Sequence, residues 1–210
     1  MTRPDSKLVI AGREFTSRLM VGTGKYPDME TMQQAIAASG AEIVTVAVRL
    51  LDLTNPRKKT VLDYLDLNKY TILPNTAGAT TVDQAVRMAR LAREAGLSDM
   101  VKLEVIGDPD TLLPDPVATL EATRQLVAEG FIVLPYTNQD PVLARLLVEA
   151  GAATVMPLGS LIGSGQGIPD FTSIRMIIDR VAVPVVVDAG LGAPSDASLA
   201  MEIGADAVLI

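Results

Sequence analysis

Short apolar runs rich in Val, Ile and Leu recur along the chain, and a polar or glycine-rich stretch follows each of them. Runs of this length, bounded by Gly, Pro, Asn or Asp, are typical of buried strands. They predict eight strands, at residues 19–24, 43–48, 71–76, 101–107, 132–137, 154–159, 183–190 and 207–210. The starts of neighbouring strands are 22 to 31 residues apart, which is room for a strand, a crossover helix and two loops.

The segments between the strands have the apolar spacing of helices. In residues 80–96 and 115–130, apolar side chains recur at i, i+3, i+4 and i+7, and each segment ends on glycine. Eight such βα repeats predict an α/β protein with a TIM barrel, and an open doubly wound sheet is the alternative. We expect one domain over residues 1–210, with a small hairpin within the lead-in, residues 1–18.

The predicted eighth strand includes the last residue of the sequence, Ile210. A TIM barrel usually runs to about 250 residues and closes with an eighth helix. We therefore expect a chain that lacks the eighth loop and helix.

Composition narrows the class of protein. Hydrophobic residues make up 49% of the 210 residues, which is ample for a core. No apolar run approaches the roughly 18 residues of a membrane span, and the first residues lack the apolar region of a signal peptide, so we expect a cytoplasmic protein that binds no membrane. A net charge of −7 without a basic cluster argues against nucleic acid as a partner.

The chain contains no histidine and no cysteine. Their absence excludes an imidazole base, a thiolate nucleophile and zinc sites built on those ligands, and we expect neither a metal nor a cofactor. Catalysis would depend on Lys, Asp, Glu, Tyr, Ser, Thr or backbone N–H groups. Sulfur chemistry would need sulfur from a substrate or a partner.

The fourth predicted strand carries Lys102 and Glu104. Side chains at i and i+2 of a strand point to the same face, so these two share one face while Val101, Leu103 and Val105 share the other. Burial lowers the pKa of an ammonium toward the free amine that attacks carbonyl carbons, which makes Lys102 a candidate Schiff-base nucleophile.

Asp188 comes directly after the apolar stretch VPVVV, at the carboxyl end of the seventh strand, where a general acid or base is expected. With Glu104 it places two carboxylates near one amine. A purely structural interpretation stays open. Lys102 would then be only the buried ion-pair partner of Glu104 or Asp188, and Asp188 would accept backbone hydrogen bonds in its turn.

A TIM barrel often holds phosphate in the loops that follow its last strands. The stretch IGSGQG, residues 162–167, supplies three glycines whose N–H groups suit a phosphate, although a flexible loop is the alternative. Lys25 and Arg49 stand at earlier strand ends, as anion contacts or as solvated surface charges.

Seven collinear stretches resemble the thiazole synthase family of thiamin biosynthesis. They are GTGKY, LPNTAGATT, VKLEVIGD, LLPDP, GFIVLPYT, MPLGSLIGSGQGI and VPVVVDAGLGAPSDA. The resemblance implies a TIM-barrel enzyme that forms the thiazole phosphate from 1-deoxy-D-xylulose 5-phosphate, dehydroglycine and sulfur. The sulfur arrives as the thiocarboxylate of a small ubiquitin-like carrier protein, and the enzyme is a homodimer or homotetramer.

The resemblance also implies roles for individual residues. Lys102 is the Schiff-base lysine on the ketose. Glu104 and Asp188 move protons during imine rearrangement, thiocarboxylate addition, loss of water and ring closure. The residues that fall where the family binds the sugar phosphate are Gly163, Ala189 and Gly190.

The chain departs from the family pattern at several positions. The family has a second arginine after Arg49, a proline where Leu161 stands and an asparagine where Asp170 stands. Leu161 neighbours the phosphate loop and is expected to alter its shape. The Asn-Thr pair that completes the family's phosphate site would begin just beyond Ile210, so we expect the 210-residue chain to bind the ketose poorly or not at all.

Two other functions are compatible with the pattern. A class I aldolase would form the same Schiff base and cleave a sugar phosphate without a sulfur donor. A non-catalytic barrel would only bind a phosphorylated ligand or serve as an assembly surface for the carrier. Three charged residues at one barrel mouth favour an enzyme, because such a cluster costs stability unless it is used.

Overall fold

The computed structural model describes residues 6–51 and 59–210. The strands of these ranges are β1 (Leu8–Ile10), β2 (Arg13–Phe15), β3 (Leu19–Gly22), β4 (Ile43–Ala47), β5 (Thr71–Asn75), β6 (Met100–Leu103), β7 (Ile106–Asp108), β8 (Leu113–Pro114), β9 (Ile132–Thr137), β10 (Met156–Pro157), β11 (Val186–Asp188) and β12 (Ala207–Leu209). The α-helices are α1 (Met29–Ser39), α2 (Val82–Glu94), α3 (Pro116–Ala128), α4 (Pro141–Glu149), α5 (Phe171–Ile178) and α6 (Pro194–Glu202). Short 3-10 helices cover Val48–Leu50 and Val61–Tyr64.

Parallel strands form a closed barrel in the order β3, β4, β5, β6, β9, β10, β11, β12. β12 pairs back onto β3, and single bridges from Val155 to Val185 and from Leu158 to Asp188 join β10 to β11. The eight strands of this barrel lie at the eight predicted positions. The predicted TIM barrel is confirmed, and the open doubly wound sheet is wrong.

Helices cover the outside of the barrel where the periodicity predicts them. The Thr81 side chain accepts a hydrogen bond from the N–H of Gln84 at the start of α2, and Pro116 opens α3. Both helices pack on the outward side chains of β6, Val101 and Leu103. α2 and α3 have 13 residues each, and none of the helices in the described ranges is long and apolar enough to cross a membrane.

The predicted fourth strand, residues 101–107, is divided in the structure. β6 ends at Leu103, and β7 pairs with β8 in a separate antiparallel ribbon. The division lies at Glu104, whose N–H donates to Thr76 Oγ1 and whose C=O accepts from the same hydroxyl, each at 2.8 Å. Because a side chain of the preceding strand end uses both backbone groups, the sheet ladder stops there.

The β1–β2 hairpin closes the amino-terminal end of the barrel. Its apolar side chains join a single buried cluster with residues from inside the barrel: Leu8, Ile10, Phe15, Met20, Ile43, Leu73, Met100, Leu134, Met156, Val186, Ala207 and Leu209. Arg13 of the hairpin also pairs with Asp99 just before β6, at 2.7 Å. Two residues beyond this apolar layer, on three of the strands, stand Lys102, Tyr136 and Asp188. The interior therefore turns polar toward the carboxyl ends of the strands.

Candidate active site

Three charged side chains meet inside the barrel. Lys102 Nζ lies 2.6 Å from Asp188 Oδ2 and 3.3 Å from Glu104 Oε1. Each of these side chains is 8% exposed or less. The structure thus brings together the three residues predicted as catalytic. Among the described residues, no group of three or more acidic side chains that could hold a metal ion occurs.

The expected low pKa of Lys102 is wrong for this arrangement. Burial does act to lower the pKa of the ammonium, but the carboxylates of Asp188 and Glu104 outweigh it and hold that pKa above its ordinary value. Lys102 is therefore an ammonium at neutral pH. It must pass a proton to a neighbour before it can attack a carbonyl carbon. The buried ion pair between Lys102 and the two carboxylates, which the sequence analysis left open as a purely structural role, is present.

Glu104 is the carboxyl group of the site whose pKa is raised. Burial raises its pKa; the Lys102 ammonium opposes this and the Asp188 carboxylate adds to it, so the pKa lies above the ordinary value. The Thr76 hydroxyl fixes its backbone from both sides. A carboxyl group with a raised pKa and a fixed backbone suits proton donation.

Two uncharged residues extend the polar layer around the barrel. Asn75 ends β5 opposite Lys102, and its Nδ2 donates a hydrogen bond of 2.9 Å to Thr45 Oγ1. Both side chains are buried. Sequence reasoning did not single them out, although each stands two residues after an apolar interior position, Leu73 or Ile43, and this spacing is the signal that would have found them.

Tyr136 of β9 is another residue of this layer that was not predicted from the sequence. Its side chain is 1% exposed, and the centre of its ring lies 5.7 Å from Lys102 Nζ. Its hydroxyl has no hydrogen-bond partner among the described residues. Burial, and then the charges of Asp188 and Glu104, raise the pKa of the phenol, so it stays protonated at neutral pH.

The predicted phosphate residues lie in two loops, after β10 and β11. Ala189 and Gly190 have positive φ angles of 65° and 74°, and a Cβ atom on Gly190 would overlap Ser160 Oγ. The N–H of Gly167 donates to the C=O of Gly190 at 2.8 Å, which joins the two loops. Gly163, with a φ of 78°, has open space where a Cβ would stand. The loops are thus in contact, while Gly163 lies on their open side.

Neighbouring acidic residues cap the helices that begin beside these loops. Asp196 accepts from the N–H groups of Gly192 and Ala193 at 2.9 Å, in front of α6. Asp170, one of the expected departures from the family pattern, accepts from the N–H of Ser173 at 3.0 Å and caps α5. Acidic side chains therefore already accept hydrogen bonds from N–H groups at the starts of α5 and α6.

The two candidate anion contacts at earlier strand ends are both exposed. The Arg49 side chain lies against Gly78, where a Cβ would approach its Cδ to 3.1 Å, and its charge acts to lower the pKa of Glu104. Lys25 stands in the loop after β3 with a positive φ of 69°. Two other positions of expected departure from the family pattern, Leu50 and Leu161, are 70% and 37% exposed.

Comparison with known proteins identifies a family. The model for the thiazole biosynthesis protein ThiG matches residues 9–210. The thiazole synthase of Geobacter metallireducens is 58% identical over 210 residues, which is 100% of this chain and 81% of that protein. The thiazole synthase of Syntrophobacter fumaroxidans is 60% identical over 206 residues, covering 98% of this chain and 80% of that one.

Among solved structures, the Amycolatopsis orientalis BexX/CysO complex contains a similar chain. It superimposes with a TM-score of 0.86 at 36% identity and covers 98% of this chain and 84% of that one. Fold, collinear sequence and overall identity agree. The chain therefore belongs to the thiazole biosynthesis protein ThiG family, the thiazole synthase enzymes of thiamin biosynthesis.

Proposed function

We propose that the protein forms the thiazole phosphate from 1-deoxy-D-xylulose 5-phosphate, dehydroglycine and the sulfur of a carrier thiocarboxylate, through a Schiff base at Lys102. The observation that carries this proposal is the position of Lys102 Nζ, 2.6 Å from Asp188 and 3.3 Å from Glu104 inside the barrel. An amine between two carboxyl groups, one of them with a raised pKa, has both a proton acceptor and a proton donor within reach.

Imine formation uses the three side chains in turn. Asp188, the nearer carboxylate, accepts a proton from the Lys102 ammonium. The free amine attacks the ketone carbon; Asp188 then gives its proton to the carbonyl oxygen and takes one from the nitrogen, which leaves a neutral carbinolamine. Glu104, with its raised pKa, donates a proton to the departing hydroxyl, and loss of water leaves the imine. The same two carboxylates then serve the proton transfers of imine rearrangement, sulfur addition and ring closure.

The phosphate is assigned to the paired loops after β10 and β11. Gly163, Ala189 and Gly190 all have positive φ angles and lie in turns, where backbone N–H groups form anion-binding concavities. Both loops follow strands at the carboxyl end of the barrel, which is where TIM barrels hold phosphate. The loop residues would thus hold the phosphate while Lys102 attacks the ketone.

The sulfur donor is assigned to a ubiquitin-like carrier protein. The chain has no cysteine of its own. The BexX chain, which is similar to this one, occurs in a complex with CysO. These two observations support a protein partner at the barrel mouth. A homodimer or homotetramer is proposed with it, from the resemblance alone.

Borohydride trapping tests the Schiff base. The protein is incubated with 1-deoxy-D-xylulose 5-phosphate, reduced, digested and analysed by peptide mass. We expect one adduct, on Lys102, that is lost in Lys102→Ala and retained in Lys69→Ala, which removes an exposed lysine outside the barrel. The same trapping is carried out on a chain extended past Ile210 by the family's Asn-Thr pair, because the 210-residue chain is expected to bind the ketose poorly. An adduct on another lysine, or none on the folded extended chain, would contradict the proposal.

Product analysis then tests the reaction. With dehydroglycine and the carrier thiocarboxylate present, we expect the thiazole phosphate, and without the thiocarboxylate we expect only the trapped imine. Cleavage of the ketose phosphate without a sulfur donor would instead identify a class I aldolase.

A further inference from the structure

Tyr136 occupies the same interior layer as the charged residues of the site. It stands two residues beyond Leu134, which belongs to the apolar cluster closed by the hairpin, just as Asp188 stands two residues beyond Val186. Its ring packs against Ile106 and Leu158. The phenol therefore belongs to the reaction chamber and not to the outer layer of helices.

The hydroxyl of Tyr136 has no use in the folded protein alone. It is fully buried and lacks a hydrogen-bond partner among the residues that the structure describes. A buried hydroxyl without a partner costs free energy, and phenylalanine would fill the same space without that cost. An unpaired donor with a protonated phenol, at the edge of a reaction chamber, indicates a partner that arrives with the substrate.

We propose that Tyr136 is a further catalytic residue, whose O–H donates a hydrogen bond to the oxygen of the ketone carbon that Lys102 attacks. The ring centre lies 5.7 Å from Lys102 Nζ, so the phenol is a direct neighbour of the attacking amine. The inference rests on the proposed Schiff base at Lys102.

The step needs no transfer of the phenolic proton. As the N–C bond forms, the π electrons of the C=O bond move to oxygen, where negative charge develops. The Tyr136 O–H stabilises this charge and keeps its proton, as an oxyanion-hole donor does. Protonation of the oxygen and its loss as water then proceed through the carboxyl groups.

The test is Tyr136→Phe, which removes one oxygen atom and keeps the ring. The rate constant of imine formation is measured by quenching with borohydride at successive times after mixing with 1-deoxy-D-xylulose 5-phosphate. We expect a decrease on the order of 100-fold, the usual effect of losing one oxyanion donor. Binding of the ketose, measured in a Lys102→Ala background by calorimetry, should change much less.

Tyr70→Phe is the matched control, because Tyr70 is a buried tyrosine of a cluster outside the barrel interior. The rate constant of imine formation of Tyr70→Phe should equal that of wild type. The melting temperature of Tyr136→Phe should stay within about 2 °C of wild type or rise, since no hydrogen bond is lost.

Two results would overturn the inference. One is that the wild type forms the adduct on Lys102 and the Tyr136→Phe variant forms it with the same rate constant. The other is a slow Tyr136→Phe variant whose melting temperature falls by more than that of the control, since this would assign the side chain to packing. A wild type that forms no adduct is a different result, because it removes the proposed Schiff base itself.

Discussion

The Lys102 ammonium lies between two carboxylates, and this pairing sets the pH at which its amine becomes free. Asp188→Asn removes the anion 2.6 Å from Nζ, so the pKa of Lys102 should fall. An NMR titration of the labelled lysine side chains, with the Lys102 signal assigned from Lys102→Met, measures this. Asp179→Asn, in an exposed pair with Arg175, is the control and should leave the pKa unchanged. An unchanged pKa in Asp188→Asn would show that the contact is absent in solution.

Glu104 gives a prediction for stability against pH. Its folded-state pKa lies above the value of about 4.3 in the unfolded chain. The glutamate therefore contributes stability that is fully present below that value and is lost as pH rises through the raised pKa. Glu104→Gln should be more stable than wild type at pH 7 by about 1 kcal/mol, because it removes a carboxyl group whose ionised form burial disfavours, while Asp188 still compensates the Lys102 charge.

Urea unfolding at pH 7 and pH 4 checks this prediction. The difference between Glu104→Gln and wild type should shrink at pH 4, where the glutamate is largely neutral in both states. Glu14→Gln, at an exposed position paired with Lys7, should show no measurable change at either pH. A variant that is less stable than wild type at pH 7 would mean that the ion pair outweighs burial.

Side-chain alternation predicted which residues share the site, but not their energetics. Lys102 and Glu104 were found because they share a strand face, and Asp188 because it ends a strand. The sign of the Lys102 pKa was missed, since it depends on the distances to two carboxylates, one of them on another strand. Tyr136 was missed because its segment is otherwise apolar, although it stands two residues beyond the interior position Leu134. That its hydroxyl has no hydrogen-bond partner among the described residues is visible only in the structure.

At the scale of elements, the loops after β10 and β11 differ in how much space they leave for a side chain at their glycines. A Cβ on Gly190 would overlap Ser160 Oγ and lie 2.7 Å from Ser160 N, whereas Gly163 has nothing within 4 Å. Gly190→Ala should cost about 3 kcal/mol or more in unfolding free energy, and Gly163→Ala about 1 kcal/mol from backbone strain alone.

Urea unfolding and calorimetric titration with the ketose phosphate measure the two glycine variants. Gly190→Ala should also bind the ketose phosphate more weakly than Gly163→Ala, because it separates the paired loops. Equal stability of the two variants would mean that the loops do not pack in solution as they do here.

Element positions were predictable and some strand ends were not. The eight barrel strands follow from the spacing of apolar runs. The pattern of residues 101–107, however, predicts one strand, whereas in the structure these residues belong partly to β6 and partly to β7. The division depends on the Thr76 hydroxyl, which comes from another strand end and leaves no mark in the local pattern. Long-range side-chain contacts of this kind lie outside what periodicity can report.

At the scale of the whole molecule, the β1–β2 hairpin is part of the core. Ile10 is fully buried beneath the barrel, while its neighbour Val9 is 46% exposed. Ile10→Ala should lower the unfolding free energy by about 2 to 5 kcal/mol, and Val9→Ala by much less. Borohydride trapping at a temperature where both variants are folded should give the wild-type rate, since the hairpin lies at the opposite end from Lys102.

A large decrease in the borohydride-trapping rate of Ile10→Ala would contradict the view that the hairpin end of the barrel affects stability but not the reaction at Lys102. Equal stability of the Ile10 and Val9 variants would contradict the packing of the hairpin against the barrel floor.

The same hairpin closes the amino-terminal end of the barrel, so among the described residues the carboxyl end of the strands is the side from which Lys102 is reached. In the proposed reaction, the ketose, dehydroglycine and the end of the carrier all reach Lys102 from that one side. A carrier seated on the rim would cover the way in for the smaller reactants. The geometry therefore imposes an order of entry, with the ketose bound and joined to Lys102 before the protein that brings the sulfur arrives.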